Sequence, residues 1–148
     1  MVSGAQEILA AASVLVIDWP SRDVPDTLAR AGFEVYVAGG PDTHSAVDLV
    51  DGKVMNRRVD HLPDVVDLVY AHRPLSELPR IVTKATQLKA AAVWRQSGVV
   101  ASGERDARGC WVSDQESSEA RAMVETTGLK YVDDDYIADV ARELGIRR

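Results

Sequence analysis

The feature that most constrains this chain is a recurrent alternation between short aliphatic runs and amphipathic stretches. Ser13-Val14-Leu15-Val16-Ile17-Asp18 is β-branched and apolar at both parities. A strand of that kind is buried on both faces, as in a parallel sheet covered by helices on each side. Asp23 is placed to cap a helix carrying Val24, Leu28 and Ala31, and Gly32 to end it. Phe33–Ala38 reads as a second strand, closed by Gly39-Gly40-Pro41. Residues 42–64 are less periodic, and their spacing predicts a short helix over Thr43–Val50. A weak strand near Lys53–Arg57 and a turn at His61-Leu62-Pro63 come next.

Val66–Ala71 is the next aliphatic run. Ser76 then caps a helix reaching about Ala90, with Leu78, Ile81, Val82, Ala85 and Leu88 on one stripe. Ala91–Arg95 is a further strand. Val99-Val100 and Cys110-Trp111-Val112 flank the polar Ser102–Gly109, as a small hairpin or an excursion loop. A helix over Glu116–Thr127 ends at Gly128, Leu129–Val132 is a last strand, and Tyr136–Leu144 closes the chain as a helix. The order predicts one domain over residues 1–148 with a three-layer α/β, doubly wound Rossmann-like fold. Its sheet is expected to be mostly parallel, with five or six strands.

Composition narrows the partners. A chain of 148 residues, 46% hydrophobic and 27% charged, fits a single globular domain with one core. Seventeen basic residues against 23 acidic ones give a net charge of −6. That balance argues against nucleic acid, whose binding is driven by counterion release onto basic surface, and against anionic membrane. The longest apolar run, Ile8–Ile17, is about half of a bilayer crossing, and residues 1–7 hold Glu7 but no Lys or Arg. Cys110 is the only cysteine, which excludes an intrachain disulfide and a structural zinc cluster. A cytoplasmic protein is the expectation.

In an open α/β sheet, ligands bind outside the carboxyl ends of the strands, where strand order reverses. The segments predicted there are Asp18-Trp19-Pro20, Gly39-Gly40-Pro41, His72-Arg73-Pro74, Arg95-Gln96-Ser97-Gly98 and Asp133-Asp134-Asp135. Around them the sequence resembles the CoA-binding-domain family of small standalone Rossmann-like proteins, over roughly residues 13–137. Val93-Trp94-Arg95-Gln96-Ser97-Gly98 is similar to that family's V-W-x-Q-x-G. Val66-Asp67-Leu68-Val69-Tyr70-Ala71-His72-Arg73-Pro74 is similar to its VDxVxxxRxP run. The stretch from Gly52-Lys53-Val54 through Leu62-Pro63-Asp64-Val65-Val66-Asp67, and Gly128-Leu129-Lys130-Tyr131-Val132, match in position and character.

The resemblance implies a binder of a nucleotide-containing small molecule, coenzyme A above all, without a catalytic residue of its own. Carried over by position, the ligand-holding residues are Asp18, Trp19, Pro20, Ser21 and Arg22, then Ala38, Gly39, Gly40 and Pro41. Ala71, His72, Arg73 and Pro74, and Gln96, Ser97 and Gly98, complete the set. The first loop departs from the family's longer, glycine-led one: Asp18 brings a carboxylate where phosphate would lie, and Trp19 brings bulk.

Two alternatives arise from that departure. In one, Arg95 neutralises Asp18, the crevice is self-filled, and the module acts through protein contacts as a homodimer. In the other, Asp18 and Asp133–Asp135 form an oxygen-rich magnesium site for phosphate transfer. Against the first stands a reading in which Arg73 and Arg95, on neighbouring strands, clamp a phosphate or carboxylate. His72 is the one histidine placed as a general base, and it reads more simply as a loop residue or a neutral hydrogen-bonding contact. His44 and His61 read as surface or turn residues, and Trp94 as core.

Overall fold

The computed structural model describes residues 13–17, 23–40, 43–72, 77–95, 114–133 and 137–144. Seven strands form one sheet: β1 (Ser13–Ile17), β2 (Glu34–Gly40), β3 (Thr43–Val50), β4 (Lys53–Val59), β5 (Leu68–Ala71), β6 (Ala92–Arg95) and β7 (Lys130–Asp133). Their order is β4-β3-β2-β1-β5-β6-β7. The pairs β1–β2, β1–β5, β5–β6 and β6–β7 are parallel, whereas β2–β3 and β3–β4 are antiparallel. Among the described residues there are four helices: α1 (Asp23–Arg30), α2 (Leu78–Gln87), α3 (Asp114–Thr126) and α4 (Ile137–Leu144).

The predicted burial of the central strands on both faces is what organises the core. Val14, Val16, Tyr70, Trp94 and Val132 lie in one cluster with Val24, Leu28 and Ala29 of α1 and Ile137 and Ala141 of α4. Leu15, Val69, Ala71, Val93 and Tyr131 lie in a second, with Leu78, Ile81, Val82 and Ala85 of α2 and Ala120 and Val124 of α3. Helices therefore cover both faces, each side sealed by every second residue of the same strands. Trp94 is fully buried, as its place inside a strand predicts.

The end of α1 follows the sequence, whereas its start does not: Asp23, expected to cap the helix, is its first helical residue. α1 closes on Gly32 at φ 93, where the Gly32 N–H donates to Ala29 O (3.0 Å) and the Phe33 N–H to Leu28 O (3.1 Å). This is a Schellman motif, and the left-handed residue it needs is the glycine read from sequence. α2 departs from expectation at its start: the residue capping its N-terminus is Glu77, with no side-chain capping bond, rather than Ser76. Pro79 falls in the first turn, where a missing N–H costs nothing.

The largest correction concerns Thr43–Val50, which is a strand and not a short helix, so the sheet has seven strands rather than five or six. β3 and β4 pair from His44↔Val59 to Val50↔Lys53 around a two-residue turn. Asp51 at φ 50 and Gly52 at φ 78 give that turn the left-handed pair of a type I′ hairpin. Arg57 Nε donates to Asp48 Oδ2 at 2.9 Å across the hairpin, and the bond and charge of Asp48 push the Arg57 pKa up. The Arg30 guanidinium of α1 reaches the turn, donating to Gly52 O at 3.2 Å.

At the amino edge of the sheet, β1 is latched to the approach of β5. The Ser13 N–H and hydroxyl both donate to Asp67 Oδ2 (3.1 and 3.2 Å), and the Asp67 N–H donates to the Ser13 hydroxyl (3.0 Å). The hairpin-or-loop expectation for residues 99–115 concerns a stretch that, up to Ser113, lies outside the described residues; Asp114 and Gln115 begin α3.

Candidate functional site

The carboxyl edge of the sheet is built from one transverse row of residues, one from each strand. Its register runs Val59–His44–Ala38–Ile17–Ala71–Arg95–Asp133, from β4 through β3, β2, β1, β5 and β6 to β7. Residues in cross-strand register share a face. Ile17 and Ala38 are partly buried against the cluster containing Ala71 and Val93, so the row lies on the face of the sheet that α2 and α3 cover further along. Its middle is made of small or aliphatic side chains at β2, β1 and β5, the strands at which the chain's strand order reverses. That is where an open α/β sheet holds its ligand.

The end of β2 has a further device. Ala38 pairs with His44 and Gly40 with Thr43, so the register shifts across Gly39, which is the extra residue of a bulge. A bulge bends its strand and re-aims the backbone beyond it, and such irregularities recur beside ligand sites. Two adjacent glycines let the backbone be approached here from outside.

Of the residues predicted to hold a ligand, Ala38, Gly39, Gly40, Ala71 and His72 are placed, and all five lie on this edge. Ala71 is fully buried at the end of β5, and His72 is half-buried beyond it, its N–H donating to Ile17 O at 3.1 Å. That bond carries the β1–β5 ladder one residue past the strand. Asp18, Trp19, Pro20, Ser21, Arg22, Pro41, Arg73, Pro74, Gln96, Ser97 and Gly98 lie outside the described residues.

Arg95 ends β6 fully buried, in register with Ala71 on one side and Asp133 on the other. The expectation that β5 and β6 are neighbours holds, so Arg95 does stand beside the end of the strand that leads to Arg73. Burying a guanidinium is costly unless other groups compensate it. Arg95 has an interaction partner, while its Nε atom is buried and makes no hydrogen bond among the described residues. Its expected neutralisation by Asp18 falls outside the described residues. The register instead gives Asp133 as its neighbour on β7. Among the described residues, no group of three or more His, Cys, Asp or Glu is placed to hold a metal ion. No described helix is long and apolar enough to cross a membrane.

Sequence reasoning, which puts His44 at the surface or in a turn, misses this residue. It stands half-buried in β3, in register with Ala38. His61 is exposed in the bend after β4, as expected. The signal for His44 lies seven residues downstream, in Asp51-Gly52: that dipeptide between β-branched runs announces a β3–β4 hairpin, so residues 43–50 form a strand that leaves the carboxyl edge antiparallel to β2.

A mostly parallel α/β sheet with small residues and a bulge at its switch point defines a class of ligand-binding domains rather than one protein. Within that class the assignment is specific: the chain belongs to the CoA binding domain family, whose model matches residues 14–142. Among solved structures, the fold is similar to Prb, the PH1109 protein redesigned for binding. Identity there is 16%, with 95% of this chain and 89% of that chain covered at a TM-score of 0.62. It is also similar to a conserved hypothetical protein from Pyrococcus furiosus, at 19% identity over 86% of this chain and 97% of that one, with a TM-score of 0.52. Both likenesses concern the fold. No curated protein matches the chain.

Proposed function

We propose that this chain is a small cytoplasmic protein that binds coenzyme A, or a related nucleotide, at the carboxyl edge of a doubly wound sheet and carries out no chemistry itself. The observation that supports it most is the transverse row, whose centre of Ala38, Ile17 and Ala71 is small and aliphatic beside the Gly39 bulge. Family membership supplies the ligand class. The phosphates would meet the loop after β1, the adenosine the end of β2, and the remainder the ends of β5 and β6. Catalysis needs a nucleophile or general base held by a positioning partner. The described part of the edge offers His44, His72 and Asp133 as candidate bases, and the row itself holds no serine, threonine, cysteine or lysine.

The test is a thermal-shift and calorimetry screen of the full chain against CoA, acyl-CoAs, ATP, ADP, FAD and NAD. Ligand at about 100 times its dissociation constant stabilises the folded state by roughly 2.7 kcal/mol. CoA is expected to give such a shift, and Ala38→Trp, which fills the row, is expected to abolish it while leaving the unliganded protein folded. No shift with any ligand would refute the binding function.

A second reading, a self-filled module acting through protein contacts, has one observation in its favour. Leu49, Val50 and Met55 are 45%, 46% and 52% exposed and gather at the β3–β4 hairpin tip. A dimer in sedimentation that Met55→Lys dissociates, with no ligand shift, would replace the first reading by this one.

A further inference from the structure

We propose that His44 is the residue with which this chain recognises the ribose end of its ligand, and that it selects a ribose bearing a phosphate. The inference rests on the nucleotide-binding function above and adds a residue and a specificity that the family pattern does not supply. Where a dinucleotide-type ligand lies across such a sheet, its pyrophosphate sits at the first strand and its ribose falls over the end of the second. A side chain at that end then decides what the ribose carries: an acid takes a free hydroxyl, a cation takes a phosphate.

Here the end of β2 is Ala38-Gly39-Gly40 and presents neither an acid nor a cation. The next strand fills the gap. β3 starts at the carboxyl edge because it runs antiparallel to β2, and His44 is in register with Ala38 on the face shared with Ile17. With strands about 4.8 Å apart, His44 stands on the order of 10 Å from Ile17, the reach of a nucleoside from its pyrophosphate. Its other neighbour on the row is the apolar Val59. The imidazole is half-buried and takes part in no hydrogen bond or ion pair among the described residues. A half-buried ring at that register position can offer an N–H to an incoming acceptor, and a phosphate is the strongest acceptor a ribose can bear.

The experiment is calorimetry of the full chain with CoA and with 3′-dephospho-CoA, in the wild type, His44→Ala and His44→Lys. One charge-assisted hydrogen bond corresponds to about tenfold in affinity, so the wild type is expected to prefer CoA by about that factor. His44→Ala is expected to bring the two ligands within about twofold by weakening CoA alone, and His44→Lys to restore the preference. Unchanged dephospho-CoA binding in His44→Ala reports an intact fold. Equal binding of both ligands by the wild type, or a preference surviving in His44→Ala, overturns the role of His44 and leaves the binding function standing. Failure of both ligands to bind the wild type overturns the binding function and the role of His44 together.

Discussion

Lys89→Gly is expected to stabilise this protein, and the reason lies in how α2 ends. The Ala90 N–H donates to Ala85 O at 2.9 Å and the Lys89 N–H to Thr86 O at 3.1 Å, a Schellman closure like that of α1. The left-handed position is held by Gly32 in α1, at φ 93, but in α2 by Lys89 at φ 57. An L side chain in that region costs about 1–2 kcal/mol. Glycine's extra freedom in the unfolded chain returns about 0.5–1 kcal/mol of the gain. The net is about 0.5–1 kcal/mol in favour of glycine. The Lys89 side chain is exposed and holds no hydrogen bond or ion pair among the described residues, so nothing is lost with it. Urea unfolding should show a higher midpoint at unchanged slope, and the melting temperature should rise by roughly 1–4 °C. Lys89→Ala keeps the Cβ and is expected to match wild type. A lower midpoint for the glycine variant, or an equal gain for alanine, would refute the backbone argument.

Three further outcomes are expected. Asp67→Ala strands the Ser13 N–H and hydroxyl at the start of β1 and should cost about 2–3 kcal/mol in chemical denaturation. Gly52→Ala places a side chain at φ 78 where an added Cβ meets nothing within 4 Å. Its loss in the same assay, about 0.5–1 kcal/mol, is therefore backbone strain less the unfolded-state freedom that alanine removes. Asp48→Ala removes an exposed ion pair with Arg57 and should leave the melting temperature unchanged in low and high salt, since such pairs contribute little.

The legible and the illegible parts of the sequence separate along the sheet. The parallel strands were readable because helices cover both their faces: a run such as Val14-Leu15-Val16 has no polar parity, and few alternatives bury it. Leu78, Ile81, Val82 and Ala85 were readable because one helical stripe meets one layer. β3 reads as a helix because its apolar residues, Ala46, Val47, Leu49 and Val50, fall at i, i+1, i+3 and i+4, the spacing of a short helix stripe. The strand shows no clean alternation because it lies towards the edge of the sheet: Ala46 and Val47, on opposite faces, are both buried, while Leu49 and Val50 are both exposed at the hairpin tip. The turn, not the strand, carried the information. The ligand edge was readable as an edge, since Ala38, Gly39, Ala71 and His72 all fall on it. Its continuation across β3 was not, because that depends on the hairpin.

Arg95 is the residue on which a ligand role and a structural role predict opposite results. Sequence offers it as half of a clamp with Arg73, but its side chain is fully buried, in register with Asp133, and already engaged. A guanidinium buried among groups it engages cannot be removed without leaving those groups uncompensated, which costs about 3–5 kcal/mol where they are charged. Arg95→Met, which keeps most of the side-chain volume but removes the charge, is thus expected to lose about 3 kcal/mol of stability and to keep CoA affinity within about threefold. Arg95→Ala leaves the same uncompensated partners and a cavity as well, so it should lose more stability than methionine. Paired denaturation and calorimetry separate the roles. Methionine at this position retaining stability but losing CoA tenfold would put the guanidinium on the ligand, and the row would then have to open at β6 for a phosphate to reach it.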